Sequence, residues 1–178
     1  MLKFLRRIVE EVESAANFSE ALSILVRLTQ EALETEACSV FAVDFRTHEY
    51  VLMANTGFKN SNLQGLRIKL HQGLIGIIGD QEKPLNLEDA TKHPNYLHIE
   101  DTEVDDFHAF LGVPIISNRR LLGVIIVQQR EKRRFAEDEE AFLVTLATQL
   151  AAILARAETH EIIVQQTKSE HADDTVLL

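Results

Sequence analysis

The chain has 178 residues, 46% hydrophobic and 26% charged, which fits one globular domain able to bury its own core. Its 28 acids against 18 bases give a net charge of −10, which argues against nucleic acid or an anionic membrane as partner, because phosphate neutralisation needs excess cation. One cysteine excludes a disulfide framework or a Cys-rich metal cluster; with no apolar run near the roughly 18 residues of a membrane span and no signal peptide at Met1–Arg7, a cytoplasmic protein is expected.

Leu5, Ile8, Val9, Val12 and Ala16 recur at helical spacing and predict a first helix from residue 2. Asn17 is a cap residue and Glu20 an acid in the first turn, so a second helix starts there and runs to about Thr35. From Ala37 the texture changes. Cys38–Phe45 is β-branched and aromatic and reads as a strand. Arg46–His48 makes a turn, and Glu49–Thr56 returns as the second arm of an antiparallel hairpin. Gly57–Gly65 reads as a loop and Leu66–Leu70 as a short, half-exposed strand.

Gly73-Leu74-Ile75-Gly76-Ile77-Ile78-Gly79 spaces its glycines by three. The Gly-x-Gly-x-x-Gly pattern and its preceding strand are missing, as is the lysine of a phosphate-cradling loop. A short helix lying close on a sheet is predicted. Residues 80–108 form the longest irregular stretch, with Pro84, Pro94 and five acids between Glu100 and Asp106. Such a long connection is usually functional or disordered. Ala109–Ile116 and Leu121–Gln129 read as two strands about a turn. The unbroken apolar run Leu121–Val127 implies a central strand covered on both faces. The last helix opens on the acids Glu137–Glu140, which suit a helix N-terminus. Phe142, Leu146, Leu150, Ile153 and Leu154 carry it to about Glu161, and residues 162–178 read as a polar linker.

The sum is one α+β domain over 1–161: helices in 2–35, sheet and roof in 37–130, and the last helix in 136–161. An antiparallel sheet of five to six strands would carry the N- and C-terminal helices on one face. Loops and short helices would cover the other, where a small-molecule pocket is natural. The acids at 100–106 and the six bases from Arg119 to Arg134 read as solvated surface.

This order of elements resembles the GAF domain, a sensory fold related to PAS. The resemblance is carried by Gly73-Leu74-Ile75-Gly76, Pro84–Ala90 with His93-Pro94-Asn95-Tyr96, Phe110-Leu111-Gly112-Val113-Pro114-Ile115 and Leu122-Gly123-Val124-Ile125. Leu5–Val12, Val51–Ala54 and Gln128–Phe135 through Ala141–Thr145 are similar to the N-terminal GAF domains of phosphoenolpyruvate-protein phosphotransferases of the nitrogen phosphotransferase system. The resemblance implies an isolated sensor whose phosphohistidine and phosphoenolpyruvate-binding domains lie outside this chain. Their magnesium and their phosphocarrier partner would belong to the whole enzyme, and no cofactor is expected in this fragment.

The resemblance also implies a nitrogen-status effector, glutamine or 2-oxoglutarate. Phe41, Met53, Leu74, Ile78, Asn86, Phe110 and Gly112 are the candidates for the pocket lining, with the α-helix start at Gly73 offering N–H groups to a carboxylate. Three other readings stand beside it. One is a homodimerisation module built from the terminal helices. Another is a cyclic-nucleotide site, for which Phe135 and Asp138-Glu139-Glu140 match the family pattern but Gln129-Arg130 replaces its Asn-Lys. Against that reading, Arg130 is expected to have a structural role, pairing with the helix-start acids. The last is thiol chemistry at Cys38, against which stands its place in a strand. No catalytic residue and no metal ligand set is expected.

Overall fold

The computed structural model describes residues 1–59, 63, 65–100 and 102–173, with side chains described to residue 157. The elements are α1 (Leu2–Glu13), α2 (Phe18–Leu33), β1 (Ala37–Asp44), β2 (Glu49–Thr56), β3 (Arg67–Lys69) and α3 (Gly73–Gln81), then β4 (Leu85–Leu87), β5 (Ala109–Ser117), β6 (Arg120–Gln129) and α4 (Glu137–Asp173). The start of α2 is fixed reciprocally. Asn17 Oδ1 accepts from Glu20 N at 2.9 Å, and the Glu20 carboxylate accepts from Ala16 N at 2.6 Å.

All strands pair antiparallel in the order β3-β2-β1-β6-β5-β4. The β1–β2 and β5–β6 hairpins meet along β1 and β6. This puts the apolar run of β6 at the centre, and alternate residues serve two cores. Cys38, Val40, Ile125 and Val127 face α1, α2 and α4, where Leu22, Leu25, Leu28, Leu143, Leu146 and Leu150 complete a large cluster. Phe41, Val124, Ile126 and Phe110 face the other way, toward α3 and the roof. The fold is thus an α+β GAF fold with helices on one face and a short helix and loops on the other.

The structure departs from the sequence reading in three places. Residues 85–87 are a sixth strand on the edge of the sheet, paired to Phe110–Gly112. Three residues are too few to show a two-residue period. A β-bulge interrupts the β1–β2 ladder: Val40 pairs with Ala54 and Phe41 with Leu52, so Met53 is the extra residue. Finally, α4 continues to Asp173 instead of ending near Glu161. The chain is polar from Gln165, but 162–173 contain no glycine or proline to break a helix, and Gln, Lys, Glu and Ala are good helix formers. Within α4 the uncharged stretch 141–155 makes the helix apolar enough, by composition, to cross a membrane. Its Phe142, Leu143, Leu146, Leu150 and Leu154 are instead buried against the rest of the core.

Candidate functional site

A cavity of about 80 Å³ lies between the α3 face of the sheet and its roof. Its floor is Ser39 and Phe41 of β1, Leu52 of β2, Phe110 of β5, and Ile126 and Gln128 of β6. The first turn of α3, Gly73 to Ile75, forms one wall. Tyr96, Leu97, Ile99 and Val104 of the roof cover it, with Phe58, Leu63 and Leu66 from the β2–β3 connection. The lining is overwhelmingly apolar, and no Lys, Arg, His, Asp or Glu takes part among the described residues. The space is roughly half of the ~150 Å³ that accommodates a benzene-sized guest. That is room for only part of a metabolite-sized molecule.

Two polar side chains in the floor stand out. Ser39 and Gln128 are 5% and 8% exposed and line the floor among apolar side chains. Tyr96 behaves differently. Its hydroxyl is turned away, donating to Asp105 Oδ1 at 2.5 Å, so only its ring serves the cavity. Burial, and then that carboxylate, push the Tyr96 phenol well above its ordinary range.

The covering segments are tied to the sheet by the acids and bases that the sequence suggested were solvated. Arg130, just past β6, donates to Glu36 at 2.6 Å and to Glu103 of the roof at 3.3 Å. The other Glu103 oxygen accepts from Lys59 N at 2.6 Å. The Arg130 guanidinium also lies 4.5 Å over the Phe107 ring, which packs 4.6 Å from Phe58. Asp89 accepts from the Thr91 hydroxyl at 2.6 Å and pairs with His108 and Lys132, each at 3.0 Å. The Thr91 hydrogen bond, followed by those to His108 and Lys132, holds the Asp89 carboxyl far below the usual carboxylate range. Asp105 further pairs with His98. The expected pairing of Arg130 with the helix-start acids is replaced by a neighbour's: Arg133 grips Glu139 through two hydrogen bonds of 2.9 and 3.0 Å. Arg130 reaches the opposite way because it leaves β6 beside Glu36, which precedes β1.

Of the seven residues expected to line the site, Phe41, Leu74 and Phe110 do so. Ile78 is fully buried beneath the cavity wall, against Gly112, where an added Cβ would lie 2.3 Å from Ile78 Cδ1. Those two shape the close approach of α3 to β5 but lie outside the lining. Met53 is 42% exposed, because the bulge hands the cavity position to Leu52. Asn86 points to the α4 entrance. Its side chain donates to Phe135 O at 2.9 Å and accepts from Phe135 N at 3.1 Å. Ser39, Gln128 and the roof residues were missed. The signal available for Ser39 and Gln128 was a polar residue on the inward phase of an otherwise apolar strand.

Cys38 lies on the helix face, 1% exposed, and burial pushes its thiol far above the ordinary value, the environment of a structural cysteine. Among the described residues no group of three His, Cys, Asp or Glu converges.

Comparison with known proteins agrees with this geometry. The GAF domain family model matches residues 17–154. A solved structure of the GAF domain from a phosphoenolpyruvate-protein phosphotransferase of Coxiella burnetii superposes with a TM-score of 0.85 at 48% identity, covering 90% of this chain and 96% of that one. The corresponding Acinetobacter GAF domain gives a TM-score of 0.81 at 35% identity, with coverage of 90% and 96%. A phosphoenolpyruvate-dependent phosphotransferase system protein of Salmonella typhimurium is 47% identical over 165 residues, 93% of this chain but 22% of that protein. The chain therefore belongs to the GAF domain family. Relatives of like size at 35–48% identity include GAF domains of phosphoenolpyruvate-protein phosphotransferases. The chain spans about a fifth of the length of the curated relatives it matches.

Proposed function

We propose that this domain is the regulatory, small-molecule-sensing module of a phosphoenolpyruvate-protein phosphotransferase, and that occupancy of its cavity biases phosphotransfer in response to nitrogen status. The observation that carries the reading is the cavity itself: largely apolar walls around a floor that carries the buried polar side chains of Ser39 and Gln128. The ligand must favour one arrangement of the roof over another, or it shifts nothing. The route from roof to α4 runs through Glu103–Arg130 on one side and through Asn86, which clips β4 to Phe135, on the other. The phosphocarrier protein and the magnesium of the whole enzyme belong to domains beyond this one.

Of the expected effectors, 2-oxoglutarate brings two carboxylates to a lining with no cation among the described residues, and a cyclic nucleotide brings a phosphate. Glutamine brings one carboxylate, for which the free N–H groups at the α3 start are available. Glutamine is therefore the favoured effector. Calorimetry of the domain against all three tests this, with heat from glutamine expected. Absence of heat from every one, together with unchanged phosphotransfer by the full enzyme, refutes the reading.

A second role is compatible with the first. An apolar groove between α1 and α4, lined by Leu2, Leu5, Val9, Thr145 and Gln149, continues the exposed Met1 and Val144. It suits a homodimer through the terminal helices. Light scattering showing only monomer at high concentration excludes it.

A further inference from the structure

The bases between Arg119 and Arg134 divide between the two ends of β6. Just past its C-terminal end, Arg130 is held by Glu36 and Glu103, Lys132 by Asp89 and Arg133 by Glu139. Arg119 and Arg120 stand at the other end, on the tip of the β5–β6 hairpin. The strand order sets this tip beside the β1–β2 turn, and there the Arg120 guanidinium lies 3.7 Å over the ring of Phe45. That end of the sheet carries Arg46, Arg67, Lys69, Arg119 and Arg120, all exposed, in a chain whose net charge is −10. Asp44 and Glu49, the acids flanking the β1–β2 turn, both accept from Arg67, at 3.2 and 3.0 Å.

Two features separate this tip from ordinary solvated surface. The first is its backbone. Ser117 pairs with Arg120, so Asn118 and Arg119 form a two-residue loop, with φ of 50° and 62°. Such a loop favours asparagine first and glycine second. Asn118 conforms and Arg119 does not. A side chain held at positive φ costs stability, and costs of this kind cluster where the residue serves a function. The second feature is Phe45, 37% exposed beneath the Arg120 guanidinium. Arginine and aromatic side chains are the ones that carry binding energy at protein interfaces.

We infer that the two adjoining hairpin tips form a docking surface for an acidic segment of another protein, with its carboxylates on Arg119 and Arg46 and an apolar side chain on the Phe45–Arg120 stack. A guanidinium matches a planar carboxylate through two parallel hydrogen bonds. A nucleic acid or an anionic membrane fits less well, because each extends across the domain and meets its negative charge. A short segment confined to the tip feels mainly the charges within a Debye length, about 10 Å. None of these tip residues lines the cavity, so the inference stands apart from what the cavity binds.

The test follows the fluorescence anisotropy of a fluorescein-labelled hexapeptide of four glutamates and two leucines, titrated with the whole chain. Binding is expected at about 20 mM salt and should weaken at least ~5-fold at about 200 mM, as exposed charges are screened. Arg119→Gly should weaken it about 3-fold, and Arg46→Ser combined with Arg119→Gly about 10-fold. Arg119→Gly should at the same time raise Tm, because glycine relaxes the loop; a purely structural arginine would not pair lost binding with gained stability. Lys92→Gln makes the same change of charge at the opposite end of β5, where Ala90 N donates to His108 O, and should leave binding unchanged. No change in anisotropy overturns the proposal, as does a loss no larger for Arg119→Gly than for Lys92→Gln. Tighter binding of an oligothymidylate or of phosphatidylserine vesicles through the same two arginines overturns the acidic protein segment as the partner.

Discussion

Asn86 offers a direct measure of how the roof segment is joined to α4. Its amide makes two hydrogen bonds to the backbone of Phe135, a residue only 3% exposed, and a third of 3.3 Å to Glu140. Asn86→Ala leaves one N–H and one C=O of Phe135 without partners. Each such loss costs about 1–3 kcal/mol, and Asn86 is half-buried, so water recovers part of it; the expected destabilisation is about 2–4 kcal/mol. For a domain of this size that lowers Tm by roughly 5–15 °C. Urea unfolding followed by circular dichroism should show a lower midpoint with an unchanged slope. Asn86→Asp is the control. It keeps the acceptor for Phe135 N but loses the donor, and it sets a carboxylate beside Glu140. Its deficit should therefore shrink as pH falls and the new carboxyl is protonated and regains a donor. A loss below about 0.5 kcal/mol for Asn86→Ala would refute the reasoning, because surface substitutions without structural role fall in that range. The variant should leave cavity binding intact, since Asn86 does not line the cavity.

Three further outcomes are expected. Asp89 titrates in the folded state far below its ordinary value, chiefly through the Thr91 hydroxyl. Its contribution is therefore complete above the unfolded value of about 4 and is lost as pH falls below it. Asp89→Asn should lower the urea midpoint at neutral pH and flatten the acid limb of the stability profile; an unchanged acid limb counts against it. Cys38 should react with iodoacetamide at least about a hundredfold more slowly in native than in urea-unfolded protein, because the buried thiol ionises only after opening. Comparable rates would contradict its burial. Gly79→Ala would put a Cβ 2.0 Å from Tyr50 Oη and 2.9 Å from Leu121 Cδ2, an overpacking expected to cost about 1–3 kcal/mol. Adding Tyr50→Phe should recover part of that cost, and no recovery in a thermal melt would show that the hydroxyl is not the obstacle.

Much of the fold was legible because its signals are local. Asn17 with Glu20, the unbroken apolar run of β6 and the acid-rich start of α4 each act through neighbours within a turn or a strand. Their consequences appear where the chain predicts them. The candidate site was less legible. Met53 was displaced from the cavity by a bulge that a count along β2 cannot reveal. Asn86 was drawn off by the backbone of Phe135, which lies 49 residues away in sequence. Ser39 and Gln128 are ordinary polar residues until β1 and β6 are set side by side.

The charge distribution shows the same division. By itself the sequence determined that this is an acidic α+β domain with helices on one face of an antiparallel sheet, because period, caps and turn residues specify local geometry; its GAF type came from the resemblance of its motifs. It could equally show that acids cluster at 100–106 and bases at 119–134. Only the tertiary structure decided that Glu103 meets Arg130, that Asp89 meets Lys132, and that the cavity's lining among the described residues is without charge. The pairing depends on long-range strand register, and the energy that fixes register lies in side-chain burial across the whole sheet.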